Sequence, residues 1–152
     1  MTSWVHNQST VKGGAVLFSE MTPPEGGEDA FNDWYDNHHT PNHVQGVPGF
    51  LSAHRYSSAN GPHYLAIYEL DSREVLEHQE YRKRKLTPDA PTKAMLDEVT
   101  GFSRYIASER RFYIRHSLGF DPIDADELIA VFFKVPRDRR DELMHWYETE
   151  HS

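Results

Sequence analysis

The spacing of apolar residues changes along the chain from a period of two to a period near 3.6 and back again. The apolar run AVLFSE at residues 15–20 lies between a Gly-Gly pair and the breaker-rich TPPEGGED, and it predicts a first strand. Residues 29–39 then place apolar groups at i, i+3, i+4 and i+7, which is one face of an amphipathic helix. These groups are Phe31, Trp34, Tyr35 and His38. Because the residue before a proline disfavours helical backbone angles, Thr40-Pro41 is expected to end or kink this helix.

Two more strands and a second helix follow. The segments FLSAHRYSS (residues 50–58) and HYLAIYEL (63–70) flank Asn60-Gly61, which is typical of a hairpin turn, and they predict an antiparallel pair. Residues 71–86 predict a second helix, with Asp71 and Glu74 at the spacing of a capping arrangement. A short helix over residues 92–99 leads into a long fourth strand at residues 102–116.

The predicted order over residues 15–116 is therefore strand, helix, strand, strand, helix, strand. This is the βαββαβ pattern of a ferredoxin-like α+β sandwich, in which four antiparallel strands carry two helices on one face.

The pattern then begins again near the end of the sequence. Residues 127–136 predict a strand and residues 137–152 a helix, and WYDNHH at residues 34–39 returns as WYETEH at an offset of 112 residues. Self-similarity at a fixed offset indicates an internal repeat. We therefore expect a flexible tail at residues 1–13, a ferredoxin-like domain at 14–117, and a linker with the first strand and helix of an incomplete second repeat at 118–152.

Composition and charge exclude several classes of function. The 24 Asp and Glu residues outnumber the 16 Lys and Arg residues, so a nucleic-acid partner is not expected. The basic run RKRK at residues 82–85 lies beside acidic residues and predicts a solvated helix face. The sequence has no cysteine, which excludes disulfides and thiolate chemistry. Since the longest apolar run, residues 128–133, is far short of a membrane span and the N-terminus lacks the order of a signal peptide, we expect a cytoplasmic protein with no membrane partner.

A resemblance to a known superfamily rests on three segments, FNDWYDNHHTPNHVQGVPGFLSAHRY, HYLAIYELDS and MLDEVTGFSRYI. They resemble the dimeric α+β barrel superfamily, and the W-Y-x-x-x-H-x-P motif ahead of VPGF resembles its EthD-like and uncharacterised members. The resemblance covers residues 14–151. It implies that the open face of the sheet is buried against a second ferredoxin-like unit, from another subunit or from a tandem repeat, and that small ligands bind in a cleft inside each unit.

The related families perform many reactions, so the fold alone does not select one. They include cofactor-free monooxygenases, muconolactone isomerases, dehydrochlorinases, polyketide cyclases and haem proteins.

His39 is the predicted catalytic residue. It lies at a helix end, four residues after Tyr35 on the same face, and an imidazole gives or takes a proton near neutral pH. A capping role or a bond to a backbone carbonyl is the alternative. His39 and His43 also have the i, i+4 spacing of helical zinc sites, but Pro41 between them is expected to interrupt the helix, and no metal site is predicted.

Aromatic and basic residues around His39 are the candidates for substrate binding. In the second strand, alternation places Phe50 on the face of His54 and Arg55 on the other face. A role in the core or in an interface is the alternative for each candidate. The predicted substrate-binding residues are Trp34, Tyr35, His54, Arg55, Tyr64 and Tyr68.

The sequence contains no nucleotide-binding glycine fingerprint, P-loop or nucleophile elbow. We therefore expect a small-molecule enzyme without an organic cofactor, in which His39 performs acid/base chemistry on an aromatic or unsaturated carbonyl or enol compound. Isomerase, lyase, cyclase and monooxygenase reactions all suit such a site. A haem-binding protein and a non-catalytic binding or assembly module are the alternatives, and self-association as a homodimer or larger oligomer is expected in each case.

Overall fold

A four-stranded antiparallel sheet with helices packed on one face is the centre of the fold. The structure is a computed structural model that describes residues 4–6, 14–108, 113–115 and 126–151. Its strands are β1 (Trp4–His6), β2 (Ala15–Thr22), β3 (Phe50–Ser57), β4 (Tyr64–Leu70), β5 (Thr100–Ala107) and β6 (Tyr113–Arg115). Its helices are α1 (Glu28–Trp34), a first π-helix (Tyr35–His39), α2 (Thr40–Val44), a 3-10 helix (Arg73–Glu77), α3 (Gln79–Leu86), α4 (Ala90–Glu98), a second 3-10 helix (Arg137–Arg139), α5 (Arg140–Trp146) and a second π-helix (Tyr147–His151).

The strand order in the sheet is β3-β4-β2-β5, with every neighbouring pair antiparallel. Helices connect β2 to β3 and β4 to β5, whereas β3 and β4 follow each other directly as an antiparallel pair, so the topology from β2 to β5 is βαββαβ. The predicted ferredoxin-like α+β fold is confirmed.

The core lies between this sheet and the helices. Alternation places every second residue of β2 and β4 toward the helices, and apart from Ser19 these residues are apolar or aromatic. They meet the buried face of α1, the 3-10 helix and α3. The buried residues of this core include Leu17, Met21, Phe31, Trp34, Tyr35, Phe50, Tyr68, Leu70, Leu76 and Tyr81.

Strand β3 departs from the simple alternation predicted for it. Its register with β4 shifts at the start of the strand, where Phe50 lies opposite Leu70 and Ser52 opposite Glu69. Because a bulge adds one residue to one strand only, the residues on either side of it change faces. Phe50 therefore lies on the helix-facing side, and the prediction that it shares a face with His54 was wrong.

The helix that carries WYDNHH continues past Pro41. After α1 the hydrogen bonding widens to the π pattern, in which the N–H of Thr40 donates to the carbonyl of Tyr35. Pro41 then lies in the first turn of α2, where the N–H that proline lacks is not needed for the helical ladder. The expected end of the helix at Thr40-Pro41 was wrong, and His39 and His43 lie one turn apart.

The second predicted helix, residues 71–86, is divided at His78. This residue has an extended backbone (φ −60°, ψ 138°), and its imidazole accepts a hydrogen bond from the N–H of Glu80 at the start of α3. The capping arrangement predicted for Asp71 does not form, since Ser72 precedes the 3-10 helix and makes no side-chain cap. The division allows Val75 and Leu76 to be buried in the core before α3 begins.

The N-terminal tail and the fourth strand also differ from prediction. Part of the tail predicted for residues 1–13 forms β1, which pairs antiparallel with β6. The long fourth strand predicted for residues 102–116 is two strands, β5 and β6, with residues 109–112 outside the described part. The boundary predicted between residues 117 and 118 also lies outside it and stays a prediction.

The strand predicted for residues 127–136 was wrong, because these residues form no strand and pair with none in the described part of the chain. The ring of Phe132 instead packs on the open face of the sheet. Its centroid is 5.6 Å from that of Phe18 and 4.6 Å from that of Tyr105. An apolar segment without a neighbouring strand has no ladder partners, so it is held here by side-chain contacts.

Candidate functional site

A cavity of about 530 Å³ lies between the helices and the helix-facing side of the sheet. His39 and His43 come to its walls from the helix that carries WYDNHH, Tyr68 from β4 and Arg104 from β5. Apolar side chains cover another part of the wall, among them Leu17, Met21, Leu96 and Val99. Its size and its mixture of apolar surface with a few polar groups are typical of small-molecule sites.

His39, the last residue of the first π-helix, is packed among aromatic rings. Its ring centroid lies 4.5 Å from that of Trp34, 5.0 Å from that of Tyr35 and 4.5 Å from that of His43. Within the described residues, no hydrogen bond holds either ring nitrogen. Tilted and edge-on contacts with these rings therefore hold the ring at the cavity and leave its nitrogens to a ligand.

His43 lies behind His39 and is oriented by a hydrogen bond. Its Nδ1 is 2.9 Å from the carbonyl oxygen of His39. A carbonyl oxygen only accepts hydrogen bonds, so Nδ1 carries the proton and Nε2 of the neutral ring is the acceptor. The ring is buried beside Phe50, Tyr68 and Tyr81.

The surroundings keep both imidazoles neutral. Burial lowers the pKa of His39 well below its ordinary value, and the neighbouring His43 and the positive charge of Lys85 lower it further. Burial likewise lowers the pKa of His43, against the opposing effect of its bond to the His39 carbonyl. A neutral imidazole has a free lone pair, so both residues are bases at pH 7.

Trp34 and Tyr35 form the layer behind His39 and do not lie on the cavity wall. Trp34 is buried, and its Nε1 is 3.4 Å from Oγ1 of Thr92 on α4. Tyr35 is also buried, and its phenol oxygen accepts a hydrogen bond from the Tyr68 hydroxyl at 3.3 Å. Both side chains therefore position His39 from behind, while Tyr68 reaches the cavity itself.

Arg55 and Tyr64 lie together between the sheet and α1, where both contact the buried ring of Phe31. The guanidinium of Arg55 stacks 4.3 Å from the centroid of Tyr35, forms an ion pair with Asp36 and donates to Oδ1 of Asn32 at 2.9 Å. The Tyr64 hydroxyl accepts from Asn32 at 3.0 Å. The positive charge of Arg55 is already paired, and neither residue lines the cavity.

The remaining two histidines near the motif lie away from the cavity. His54 is opposite Ile67 in the β3–β4 pair and faces the open side of the sheet. Nε2 of His38 is 2.8 Å from Oδ2 of Asp89, whose other oxygen accepts from the N–H of Thr92 and caps α4. His38 therefore ties the first helix to α4.

Three cavity residues were missed by sequence reasoning. His43 was considered only as a metal ligand, because Pro41 was expected to separate it from His39. Lys85 was assigned to a solvated helix face, yet it lies on the cavity wall together with Arg104. The alternation of β5 places Arg104 on the helix-facing side opposite Ser19, which is the signal that would have identified it.

No group of three or more His, Cys, Asp or Glu side chains in the described part of the chain has an arrangement that could hold a metal ion. None of the helices that the structure describes is long and apolar enough to cross a membrane.

The sequence matches no protein-family model and no curated protein. Solved structures do match. SnoaB, a cofactor-independent oxygenase from Streptomyces nogalater, is 15% identical over 64% of this chain and 95% of its own, with a TM-score of 0.50. A monooxygenase from the gene ActVA-Orf6 of Streptomyces coelicolor, in complex with the ligand nanaomycin D, is 14% identical over 64% of this chain and 88% of its own, also with a TM-score of 0.50.

A third match is MhuD, a haem degrader from Mycobacterium tuberculosis with two haems bound in its active site, which is 17% identical over 62% of this chain and 93% of its own, with a TM-score of 0.44. The matched structures also include an antibiotic biosynthesis monooxygenase. At these identities, the two matches with a TM-score of 0.50 establish one property of the chain, the ferredoxin-like α+β fold.

Proposed function

We propose that the chain is an enzyme that removes a proton from a small aromatic or unsaturated carbonyl or enol compound without an organic cofactor. The observation that carries this proposal is the pair of histidines, 4.5 Å apart between ring centroids, at a partly apolar cavity of about 530 Å³. The pKa of each is lowered by burial, so each is a base rather than a cation at neutral pH.

His39 is the base that meets the substrate. Its lone pair takes a proton from a C–H group next to a carbonyl, whose electron pair passes to the carbonyl oxygen, or from an enol O–H group, whose electron pair stays on that oxygen. Either step gives an enolate and a protonated imidazole. The enolate is then protonated at another carbon, loses a leaving group or reacts with molecular oxygen, which correspond to isomerase, lyase and oxygenase outcomes. His43 positions His39 through their shared packing and its bond to the His39 carbonyl.

The fold supports this proposal, because cofactor-independent oxygenation is the activity named for SnoaB and monooxygenation the activity named for ActVA-Orf6. Both structures share the ferredoxin-like topology that here places the histidine pair beside the sheet. A fold hosts many reactions, so the residues of the cavity decide which of them this chain performs.

The test uses aromatic ketones with an acidic C–H group, dithranol and 2-indanone. Deuterium exchange at the acidic carbon is followed by NMR and oxygen uptake by an electrode, with wild type, His39→Gln and His145→Gln. We expect His39→Gln to lower the rate by about 10²–10⁴-fold, as loss of a general base does. His145 lies on the exposed helix α5, so His145→Gln is the matched control and retains the wild-type rate.

Wild-type protein that accelerates neither exchange nor oxygen uptake with either ketone would overturn the proposal. So would a His39→Gln variant that is folded by circular dichroism and retains the wild-type rate.

A haem-binding function is the second candidate, and one observation favours it. The bond from Nδ1 of His43 to a backbone carbonyl is the arrangement that orients histidine ligands of metals, and it leaves Nε2 free. His43 would hold the iron, and the group would supply oxygen chemistry. Titration with haemin distinguishes the candidates: a Soret band that shifts in wild type and not in His43→Gln supports haem, and an unchanged haemin spectrum excludes it.

Self-association is also proposed, with the open face of the sheet as the contact surface. Exposed aromatic and aliphatic groups, including Tyr105 and Leu51, remain outside the core on the sheet. The EthD-like resemblance and the second repeat stay predictions that agree with such an assembly. Light scattering at micromolar concentration is expected to give at least a dimer, and a monomer would overturn this proposal.

A further inference from the structure

We propose that the substrate carries an acidic group, a carboxylate or an ionised hydroxyl, and that Lys85 and Arg104 bind this group at the cavity wall. The inference rests on the proposed function, since it names the class of substrate for the same cavity. The whole chain has a formal net charge of −8, yet this cavity has four cationic side chains on its walls and two carboxylates. The four are Lys83, Arg84, Lys85 and Arg104, and the two are Glu80 and Asp89.

Both carboxylates of the cavity are already engaged. Glu80 forms an ion pair with Arg84 at 2.9 Å, and Arg84 also donates to the backbone carbonyl of Glu80. Asp89 binds His38 and caps α4. Neither carboxylate neutralises Lys85 or Arg104.

Lys85 and Arg104 have no carboxylate within ion-pair distance among the described residues. Arg104 donates a hydrogen bond to the hydroxyl of Tyr81 and lies 5.7 Å from the centroid of its ring. The Lys85 ammonium lies 5.9 Å from the centroid of Phe102. Both cations are therefore held by neutral aromatic groups, which leaves their charge to be neutralised by a ligand.

The two cations also lie close enough to affect each other. Partial burial lowers the pKa of Lys85, and the positive charge of Arg104 lowers it further. Two unneutralised cations in one wall repel each other, and an anion placed between them relieves that repulsion and gains charge-assisted hydrogen bonds. Arg104 presents a planar fork that suits a carboxylate, and Lys85 adds a point charge.

The acidic residues on the far side of these cations do not replace the ligand. Lys85 and Arg104 also border a second cavity of about 510 Å³, whose walls include Glu74 and Glu77. Glu77 pairs with Arg82 at 3.7 Å, and the pKa of Glu74 is lowered first by a bond with its own backbone N–H and then by the Ser72 hydroxyl. The positive charge of the pair is therefore available to the histidine cavity.

The position of the pair suggests how a substrate would lie. An acidic group at Lys85 and Arg104 would hold the aromatic body against the apolar wall, with its reactive carbon toward His39. After the larger effect of burial, the positive charge of Lys85 also lowers the pKa of His39, and the charges of Lys85 and Arg104 lower the pKa of His43. Anion binding and base strength are thus coupled through the same side chains.

The experiment compares two probes of equal shape, 2-naphthoate and 2-naphthamide, by isothermal titration calorimetry. Wild type is expected to bind the anion about tenfold or more tightly than the amide, the gain typical of a charge-assisted bond. Lys85→Met and Arg104→Met are each expected to lower affinity for the naphthoate about tenfold and to leave the amide unchanged. Lys93→Met removes an equal charge from α4, outside both cavities, and retains the preference.

A second measurement needs no variant. The affinity for naphthoate is expected to fall as NaCl rises from about 0.05 to 0.5 M, while the affinity for naphthamide stays constant, because salt screens charge. Equal binding of the two probes by wild type, or loss of the preference in Lys93→Met as well, would overturn the inference.

The two proposals fail separately. If the anion preference is absent while dithranol is still turned over in a His39-dependent reaction, acid recognition is wrong and the proposed function stands. If neither ketone reacts while naphthoate still binds through Arg104, the proposed function is wrong.

Discussion

The two Trp-Tyr-x-x-x-His helices of this chain have the same backbone structure in different surroundings. In each, seven α-helical residues (Glu28–Trp34 and Arg140–Trp146) are followed by five π-helical residues (Tyr35–His39 and Tyr147–His151). The Trp and Tyr rings meet edge-on in both, with centroids 5.2 Å apart in the first helix and 6.2 Å in the second. Since the change from α to π occurs in both places, the local sequence determines it.

The surroundings differ in burial. Trp34 is 6% exposed and Tyr35 2%, whereas Trp146 is 36% exposed and Tyr147 40%. The first pair rests on the sheet, and burial there lowers the pKa of His39. The motif therefore determines the backbone structure of the helix, and the pKa of its histidine is lowered where the helix is buried against the sheet.

The largest expected difference between the two helices is in stability. Trp34→Ala removes a buried ring that contacts Phe31, Tyr35 and His39, and it is expected to lower the free energy of unfolding by about 3–5 kcal/mol. Trp146→Ala is expected to cost less than about 1 kcal/mol, because the ring is already partly exposed. Urea denaturation followed by circular dichroism measures both, and equal costs would mean that the second helix is buried in solution.

The comparison also shows what the sequence could and could not predict. The order of strands and helices follows from local periods and turn residues, so the fold was predicted correctly. The cavity depends on strand order: Arg55 and Arg104 both lie on the helix-facing side of the sheet, but on its opposite edge strands, β3 and β5. No local pattern tells which edge borders the cavity, and Arg55 was chosen instead of Arg104.

The position of His43 was also not predictable from a local rule. The rule that proline ends a helix is sound for α-helices, but the π turn before Pro41 changes the hydrogen-bonding register and accommodates the ring. The helix end expected at Pro41 therefore separated His39 from His43, two histidines that the structure brings together.

A smaller difference is expected in the dependence of stability on pH. The pKa of His39 is lowered in the folded protein, so below about pH 6.5 the unfolded chain binds a proton that the folded protein does not. The stabilisation is complete above that pH and decreases as the pH falls, by about 1.4 kcal/mol per pH unit while the ring stays neutral. His43, His38, Lys85 and Asp89 are the titratable groups that act on His39.

Thermal melts of wild type, His39→Gln and His145→Gln between pH 7.5 and 5.0 measure this effect. His39→Gln is expected to have a shallower loss of stability on acidification than wild type, because glutamine does not titrate. His145→Gln, in the exposed second helix, is expected to keep the wild-type slope. Parallel curves for all three proteins would contradict the lowered pKa of His39.

The smallest expected difference concerns the tyrosine hydroxyls. Tyr35→Phe removes the acceptor of the Tyr68 hydroxyl in a buried site, and a buried donor that loses its partner costs about 1–2 kcal/mol. Tyr147→Phe is expected to change stability by no more than about 0.5 kcal/mol, as is usual for an exposed side chain. The urea concentration at the midpoint of unfolding, measured for both variants and for wild type, tests this expectation. If Tyr147→Phe is as destabilising as Tyr35→Phe, the second helix has a buried hydroxyl contact in the assembled protein. The tyrosines of the two helices would then be equally buried, and a difference between the helices would remain only at their histidines.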